Sequence, residues 1–202
     1  MKIYIDFDGT LFDSTKHYQE YINIFKKHNI DIESYFNKEY QKEKNFDILS
    51  KKIIKEYNLN PSIYDELDKI YSEKLIFKDV IPFLEENHNK YDLILLTLGN
   101  IEYQQKKINK TKISKYFKEI IITNKDKSKL DIDYTNGIFI DNNPLELKKF
   151  YNSKAKYLIR IKRETDKYSK IDLDIKNIPE FINFNELTKS NYIKQIGENY
   201  HE

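Results

Sequence analysis

The stretch that decides the fold is Lys2-Ile3-Tyr4-Ile5-Asp6-Phe7-Asp8-Gly9-Thr10-Leu11-Phe12-Asp13. Residues 2–6 are a short β-rich run that ends in carboxylates. Alternation along a strand turns Asp6 and Asp8 to the same side. Gly9 follows and frees the backbone to turn sharply. Two carboxylates this close repel each other unless a cation or a shared proton intervenes. The plain alternative is a strand that stops in an acidic turn. The five-position pattern Asp-x-Asp-Gly-Thr, placed directly after an apolar strand, argues against it.

Outward from this stretch, residues 92–97 (DLILLT) are a continuous apolar run, as a strand buried on both faces requires. A helical stretch follows over roughly 101–109. Residues 119–123 (EIIIT), 137–140 (GIFI) and 156–161 (KYLIRI) are three more such runs. Strands alternating with helices predict right-handed βαβ units and a parallel sheet, hence an α/β protein. The sheet is split in sequence, because residues 14–90 are polar with a helical period. Ile22 and Phe25 mark one helix, and Phe46, Leu49, Ile53 and Ile54 a second. Pro61 opens a third with Tyr64, Leu67 and Tyr71 on one face, and Pro82 marks a fourth near Lys78 to Glu85. The reading is a core of residues 1–13 and 91–202, with a helical subdomain of residues 14–90 set into it. The tail after Lys162 is polar, and residues 179–187 suit a short final strand or helix.

Ligands of a parallel α/β sheet bind at the carboxyl ends of its strands. Thr97 ends the second strand, although Thr ends many strands. Ile138-Phe139-Ile140-Asp141-Asn142-Asn143-Pro144 puts Asp141 at the end of another, where it could also be a helix N-cap. Lys125, Lys127 and Lys129 follow strand 119–123, and any one of them could be solvated surface. Together these ends supply two or three carboxylates, a hydroxyl and an ammonium. Hard oxygen ligands of this kind suit Mg²⁺, which takes one or two carboxylates plus substrate phosphate.

These four motifs, in this order over residues 3–144, resemble the haloacid dehalogenase superfamily, and within it the phosphatase branch. The resemblance implies a Rossmann-like three-layer α/β/α core with a parallel sheet, and a helical C1-type cap between motifs one and two. It implies that Asp6 is the nucleophile that becomes an aspartyl-phosphate and that Asp8 is the general acid/base. Thr97 would hydrogen-bond the phosphoryl group. Asp126-Lys127-Ser128 looks like the short Asp-Lys-Ser/Thr form of motif three in deoxyribonucleotidase-like members, which favours Lys127 over Lys125 and Lys129. Asp141 would bind Mg²⁺ together with the Asp6 carboxylate and the backbone carbonyl of Asp8. An acid at Asp8 separates phosphatases and phosphomutases from the family's dehalogenases, which lack one, and from P-type ATPases, which carry Thr. Two positions depart from the pattern: Asn142 stands where motif four often has a second acid, and motif three has no Lys-Pro. The expected activity is Mg²⁺-dependent hydrolysis of a small phosphorylated metabolite, a nucleotide or sugar phosphate. The alternatives are a phosphomutase of the β-phosphoglucomutase kind and a catalytically weak regulatory or binding protein on the same scaffold. Asn142 is the one feature that favours the last.

Composition bounds the partners. Ile, Leu, Val and Phe supply 60 of the 202 residues, well above the ~20% below which disorder is expected. With 35 basic and 33 acidic residues the net charge is +2, which excludes nucleic-acid binding by bulk charge. A local basic run with an aromatic (Lys106, Lys107, Lys110, Lys112, Lys115, Tyr116) keeps nucleic acid only as a minor reading. Nine lysines against four acids in residues 101–131 are either a steering field for anions or a solvated helix face. Residues 14–90 hold 13 Lys and 14 acids, so this segment is no basic lid. Its aromatics Tyr18, Tyr21, Phe25, Tyr35, Phe36 and Tyr40 suit a small core better than a stacking platform. Arg160 and Arg163 are the only arginines, so the grip on phosphate falls to Lys, hydroxyls and backbone N–H groups. The absence of Cys excludes disulfides, thiolate zinc sites and a Cys nucleophile. No apolar run approaches the ~18 residues of a membrane span. Asp6 and Asp8 interrupt the region a signal peptide would keep apolar, so the expected location is cytoplasmic, with no membrane partner.

Overall fold

In the computed structural model, which describes residues 1–198, strand β1 (Lys2–Ile5) is followed by five helices. These are α1 (Ser14–Lys27), α2 (Glu33–Tyr40), α3 (Phe46–Glu56), α4 (Ile63–Asp68) and α5 (Val80–Asn87). The chain continues through β2 (Asp92–Leu98), α6 (Ile101–Thr111), β3 (Glu119–Thr123), a 3₁₀ turn at Lys127–Lys129 and β4 (Gly137–Asp141). It closes with α7 (Pro144–Asn152), β5 (Tyr157–Ile161), β6 (Glu180–Phe181), α8 (Phe184–Lys189) and α9 (Tyr192–Glu198).

All six strands are parallel, in the order β3-β2-β1-β4-β5-β6. Strand β1 therefore runs down the middle, with Tyr4 level with Ile94 of β2 and Phe139 of β4. Alternation divides the strand residues between two apolar layers. Ile3, Ile5, Leu93, Leu95, Ile138 and Ile140 face the core that contains Phe83, Ile108, Phe184 and Ile196. Tyr4, Ile94, Leu96 and Phe139 face Leu147 and Phe150 of α7, and the Tyr4 and Phe139 rings stack 4.6 Å apart. Burial on both faces is why these strands read as unbroken apolar runs. Helices on both sides of a parallel sheet are the expected three-layer α/β/α arrangement.

Short polar side chains start the helices by accepting orphan N–H groups. Asp13 accepts from Lys16 N–H, Asn45 from Asp47 and Ile48, and Asn100 from Tyr103. Asn143 accepts from Leu145, with Pro144 in the first turn where its missing N–H costs nothing. The stretch between β1 and β2 holds five helices where the periodicity predicts four. Helix α2 buries only Phe36, so it carries no apolar stripe to detect. Pro61 lies in a turn ahead of α4, which ends at Asp68, so Tyr71 is beyond it. Helix α5 packs on α8, with the Phe83 and Phe184 rings 4.4 Å apart. Residues 179–187 form both a strand, β6, and the start of a helix, α8.

The two arginines tie the polar tail to this frame. Arg160 donates to Glu180 Oε2, to the carbonyls of Tyr168 and Ile171, and through Nε to the Asn142 carbonyl. Arg163 donates to both oxygens of Asp79, at 2.9 and 2.8 Å, and to the Thr10 carbonyl. Asp79 also accepts from Phe184 N–H at 2.6 Å. Both members of the Arg163–Asp79 pair are buried. Removing one partner of such a pair leaves an uncompensated charge out of water. Arg163→Met should therefore lower unfolding stability by about 3–5 kcal/mol in urea titration. A loss below about 1 kcal/mol, the range of an exposed ion pair, would remove the pair from this role.

Candidate active site

Strand β1 ends one residue before Asp6, whose N–H donates to the Ile140 carbonyl at 2.9 Å and so keeps it beside β4. Asp141 closes β4. Between the two carboxylates lies the ammonium of Lys127, which donates to Asp6 Oδ1 at 2.8 Å and to Asp141 Oδ2 at 2.6 Å. All three side chains are buried. Lys125 and Lys129 are exposed, so the structure brings only Lys127 of the three to the strand ends. Thr10 Oγ lies 3.2 Å from both Asp6 Oδ2 and Asn142 Oδ1, and accepts from Asn142 N–H at 3.0 Å. Burial, reinforced by repulsion from Asp141, pushes the Asp6 carboxyl up to about 7, against the pull of Lys127. Burial pulls the Lys127 ammonium down, but Asp141 and Asp6 outweigh it and raise its pKa.

Asp8 takes a different path. Strand β1 stops at Ile5, so the alternation that would align Asp8 with Asp6 does not reach it. Gly9 turns the chain at φ +83°, and a Cβ there would run into the side chains of Asn142 and Asp166. The Asp8 carboxylate accepts from Lys107 Nζ at 2.5 and 2.8 Å, from Gln104 Nε2 at 2.7 Å and from Ser14 Oγ at 3.2 Å. Burial favours its neutral form, but the Lys107 ammonium beside it outweighs this and holds its pKa below the usual carboxylate range. Each acid thus has its own lysine, and neither needs to share a proton with the other.

Thr97, near the end of β2, has a buried hydroxyl with no hydrogen-bond partner among the described residues. Asn142 donates to Asp166 Oδ2 at 2.5 Å. A carboxylate does lie next to motif four, then, but it comes from 24 residues further along the chain. Burial raises the pKa of Asp166. Glu146, in the first turn of α7, gives one oxygen to Lys149 at 2.7 Å and keeps the other buried and unpartnered.

A cavity of about 680 Å³ has Asp6, Asp8, Asn142, Glu146, Lys127 and Asp141 on one side and Tyr18, Asn37, Tyr40 and Lys44 of the helical insert on the other; Thr97 lies next to its lining residue Leu98 but does not itself line it. Tyr21 and Phe25 are buried in the core, Phe36 is buried there and also lines the cavity, and Tyr18 and Tyr40 pack half-buried against that core and line the cavity too. His17 also lines it, ringed by Phe12, Phe46 and Tyr71, with Nε2 unpartnered. The basic run of α6 is tied to acids of the insert and its neighbours: Lys106 to Asp47 and Asp68, Lys110 to Asp68, Lys112 to Glu73.

The donor set can be tested against a metal ion. Asp6 and Asp141 point at one spot, now held by an ammonium. Apart from the lysine, the polar partners of these two carboxylates are the Thr10 hydroxyl and the Asn143 N–H. Two carboxylates with one ammonium leave one negative charge out of water. No three acidic or histidine side chains converge as an all-protein cage among the described residues. Mg²⁺ does not need one, since it keeps waters and takes one or two carboxylates plus phosphate. Asp6 and Asp141 fit that role.

Six residues of this site lie outside the sequence motifs: Thr10's contacts apart, they are Ser14, His17, Gln104, Lys107, Glu146 and Asp166. Lys107 had a signal, for it falls on the same helical face as Tyr103, Ile108 and Thr111, where an apolar side chain belongs. Asp166 has none, because it sits in a polar segment outside the regular elements.

His17 yields a pH prediction. Burial, helped by Lys107, pushes its imidazole down from 6.5 to about 3. The unfolded chain therefore binds a proton that the folded chain refuses, and stability is lost as pH falls from 6.5 toward 3. The loss is about 1.4 kcal/mol per pH unit across that window. His17→Leu should remove that slope in urea unfolding curves taken between pH 6.5 and 4. Parallel curves for the two proteins would mean that His17 is protonated in the fold.

No protein-family model and no curated protein matches the chain. Solved structures do. YfnB of Bacillus subtilis, described as a HAD-hydrolase bound to magnesium, is 12% identical with a TM-score of 0.61, over 95% of this chain and 98% of that one. A HAD phosphatase from Thermococcus onnurineus is 19% identical with a TM-score of 0.60, again over 95% and 98%. The L-2-haloacid dehalogenase of Xanthobacter autotrophicus is 13% identical with a TM-score of 0.53, over 80% and 77%. The chain is similar to phosphatase and dehalogenase alike, and what it shares with them is the fold of the haloacid dehalogenase-type hydrolases.

Proposed function

We propose that the chain is a member of the haloacid dehalogenase superfamily and a phosphatase of small phosphorylated metabolites, a nucleotide or a sugar phosphate. The observation that carries this reading is the pair of acids two residues apart with separate lysines, Asp6 with Lys127 and Asp8 with Lys107, beneath one cavity. A nucleophile and an acid/base must stand together at the reacting group, each held in place by its own partner.

Asp6 attacks the phosphorus, and the bond from phosphorus to the ester oxygen breaks as the new bond to the carboxylate forms. Asp8 gives its proton to the departing oxygen. The negative charge of a bound phosphate raises the proton affinity of a carboxylate beside it, which offsets the effect of Lys107 at this step. Asp8 then takes a proton from water, which attacks the aspartyl-phosphate, frees inorganic phosphate and restores Asp6. Lys127 Nζ and the unpartnered Thr97 hydroxyl hold phosphoryl oxygens. Phosphoryl transfer is mostly positioning and charge neutralisation. Mg²⁺, held by Asp6, Asp141 and the Asp8 carbonyl, would supply further neutralisation on the phosphoryl group. Helices α1–α4 act as the cap that closes the cavity, keeps water out and chooses the substrate.

A release assay for inorganic phosphate, run over a panel of phosphorylated metabolites and p-nitrophenyl phosphate with Mg²⁺, tests the reading. The expected outcome is turnover that EDTA stops and added Mg²⁺ restores. Asp6→Asn should lower turnover at least ~10³-fold with folding intact, as loss of an activated nucleophile does. Turnover within tenfold of the parent in that variant would sink the nucleophile assignment. Phosphate kept on the sugar as a bisphosphate, instead of released, would point to a phosphomutase.

A further inference from the structure

Four hydrogen bonds converge on the Asp8 carboxylate, and two of their donors sit one turn apart on α6. Gln104 is braced by a second bond, from its Nε2 to the Leu98 carbonyl at 3.0 Å. Lys107 is 4% exposed, and its ammonium lies about 5 Å from the ring centres of Phe7, Phe12 and Tyr103. A buried ammonium needs a partner. Among the described residues the carboxylate it pairs with is that of Asp8, through both oxygens. The next residue, Lys106, pairs instead with Asp47 on α3 and with Asp68, the last residue of α4. The Tyr71 and Tyr103 hydroxyls add a bond of 3.2 Å between the insert and α6. Helix α6 is thereby pinned to the insert through Lys106 and Tyr103 while Gln104 and Lys107 grip Asp8.

We propose that Lys107, assisted by Gln104, is the positioning residue for the acid/base of this site. It fixes the direction in which Asp8 presents its oxygens to the departing group, and it acts through Asp8 instead of touching the phosphoryl group. This inference rests on the phosphatase reading and adds a residue that the four motifs do not contain. A proton-transfer group contributes typically 10²–10⁴-fold, and only where the leaving oxygen needs a proton. p-Nitrophenolate leaves as a stabilised anion, whereas an alkoxide does not.

The test is steady-state kinetics of the full chain with Mg²⁺ on p-nitrophenyl phosphate and on an alkyl phosphate drawn from the panel. Lys107→Met should lower kcat about 100-fold on the alkyl ester and less than tenfold on the aryl ester, with KM within about threefold on both. Lys107→Arg should recover at least tenfold of the loss. Gln104→Leu, which keeps the ion pair, should show the same split at smaller size, and it serves if Lys107→Met does not fold. Adding Lys107→Met to Asp8→Asn should cost nothing further, because residues that act as one unit are not additive. Equal loss on both esters, a rise in KM at unchanged kcat, or additive loss in the double variant would overturn the proposal. Absence of wild-type turnover on every ester, or turnover by Asp6→Asn, is a different result: it overturns the phosphatase reading itself.

Discussion

One ammonium between two carboxylates, all three out of water, is the constraint on which the strand ends depend. Lys127 holds Asp6 and Asp141 within 2.8 Å of a single nitrogen. Losing Lys127 leaves two buried carboxylates without a counter-charge, which is far costlier than losing a surface pair. The sheet order makes the cluster. Strands β1 and β4 are neighbours, so Asp6 and Asp141 end side by side. Strand β3 lies on the far side of β2, so the turn that carries Lys127 has to reach back across the sheet edge. It is fastened there from two directions. Tyr134 OH donates to the carbonyls of Lys127 and Leu130, at 2.6 and 3.0 Å, and Ser153 Oγ donates to the Ser128 carbonyl at 3.1 Å. The lysine is thus held both through the backbone of its turn and through its side chain.

The loops that follow β1 and β4 raise a second problem, since their buried carbonyls have no strand to pair with. The Thr10 and Asn142 carbonyls meet it in the same way, each accepting from an arginine. A guanidinium presents five donors in a planar fork and can bond a carbonyl and a carboxylate at once, which an ammonium on a flexible stem does less well. In a chain so rich in lysine, the two arginines stand where that fork is needed. They also explain how a polar tail outside the regular elements becomes ordered: Arg160 gathers the Tyr168 and Ile171 carbonyls, and the same stretch delivers Asp166 to Asn142.

The strands were legible because each is buried on both faces, so apolar character survives without alternation, as in residues 92–97 and 137–140. Their carboxyl ends were legible because a parallel sheet gathers its functional groups there. What escaped depends on tertiary contact. Lys125, Lys127 and Lys129 share one local pattern, and only burial tells them apart. Helix α2 has a single buried side chain, so nothing in its residues 33–40 repeats. Asp6 and Asp8 do line one cavity, but β1 ends at Ile5, so the turn at Gly9 and not strand alternation places Asp8 there. The partner of Asn142 could not be read at all, since Asp166 is brought in by the arginine-held tail and not by any strand end.

Asp6 and Asp8 are two residues apart, yet their surroundings push them in opposite directions. Burial and Asp141 drive the first up to about 7, while Lys107 drives the second down. A nucleophilic carboxylate has to be ionised, so the Asp6 environment is by itself the wrong one for the role proposed for it. The deficit is one of charge. Two carboxylates and a single ammonium carry a net negative charge, and the ion pair of Asp8 with Lys107 is neutral and adds nothing to offset it. A phosphate brought to this spot adds more negative charge still. Another positive group at Asp6 and Asp141 would both return Asp6 to its ionised form and make room electrostatically for the phosphate. The oxygen donors there suit a hard divalent ion better than a second ammonium.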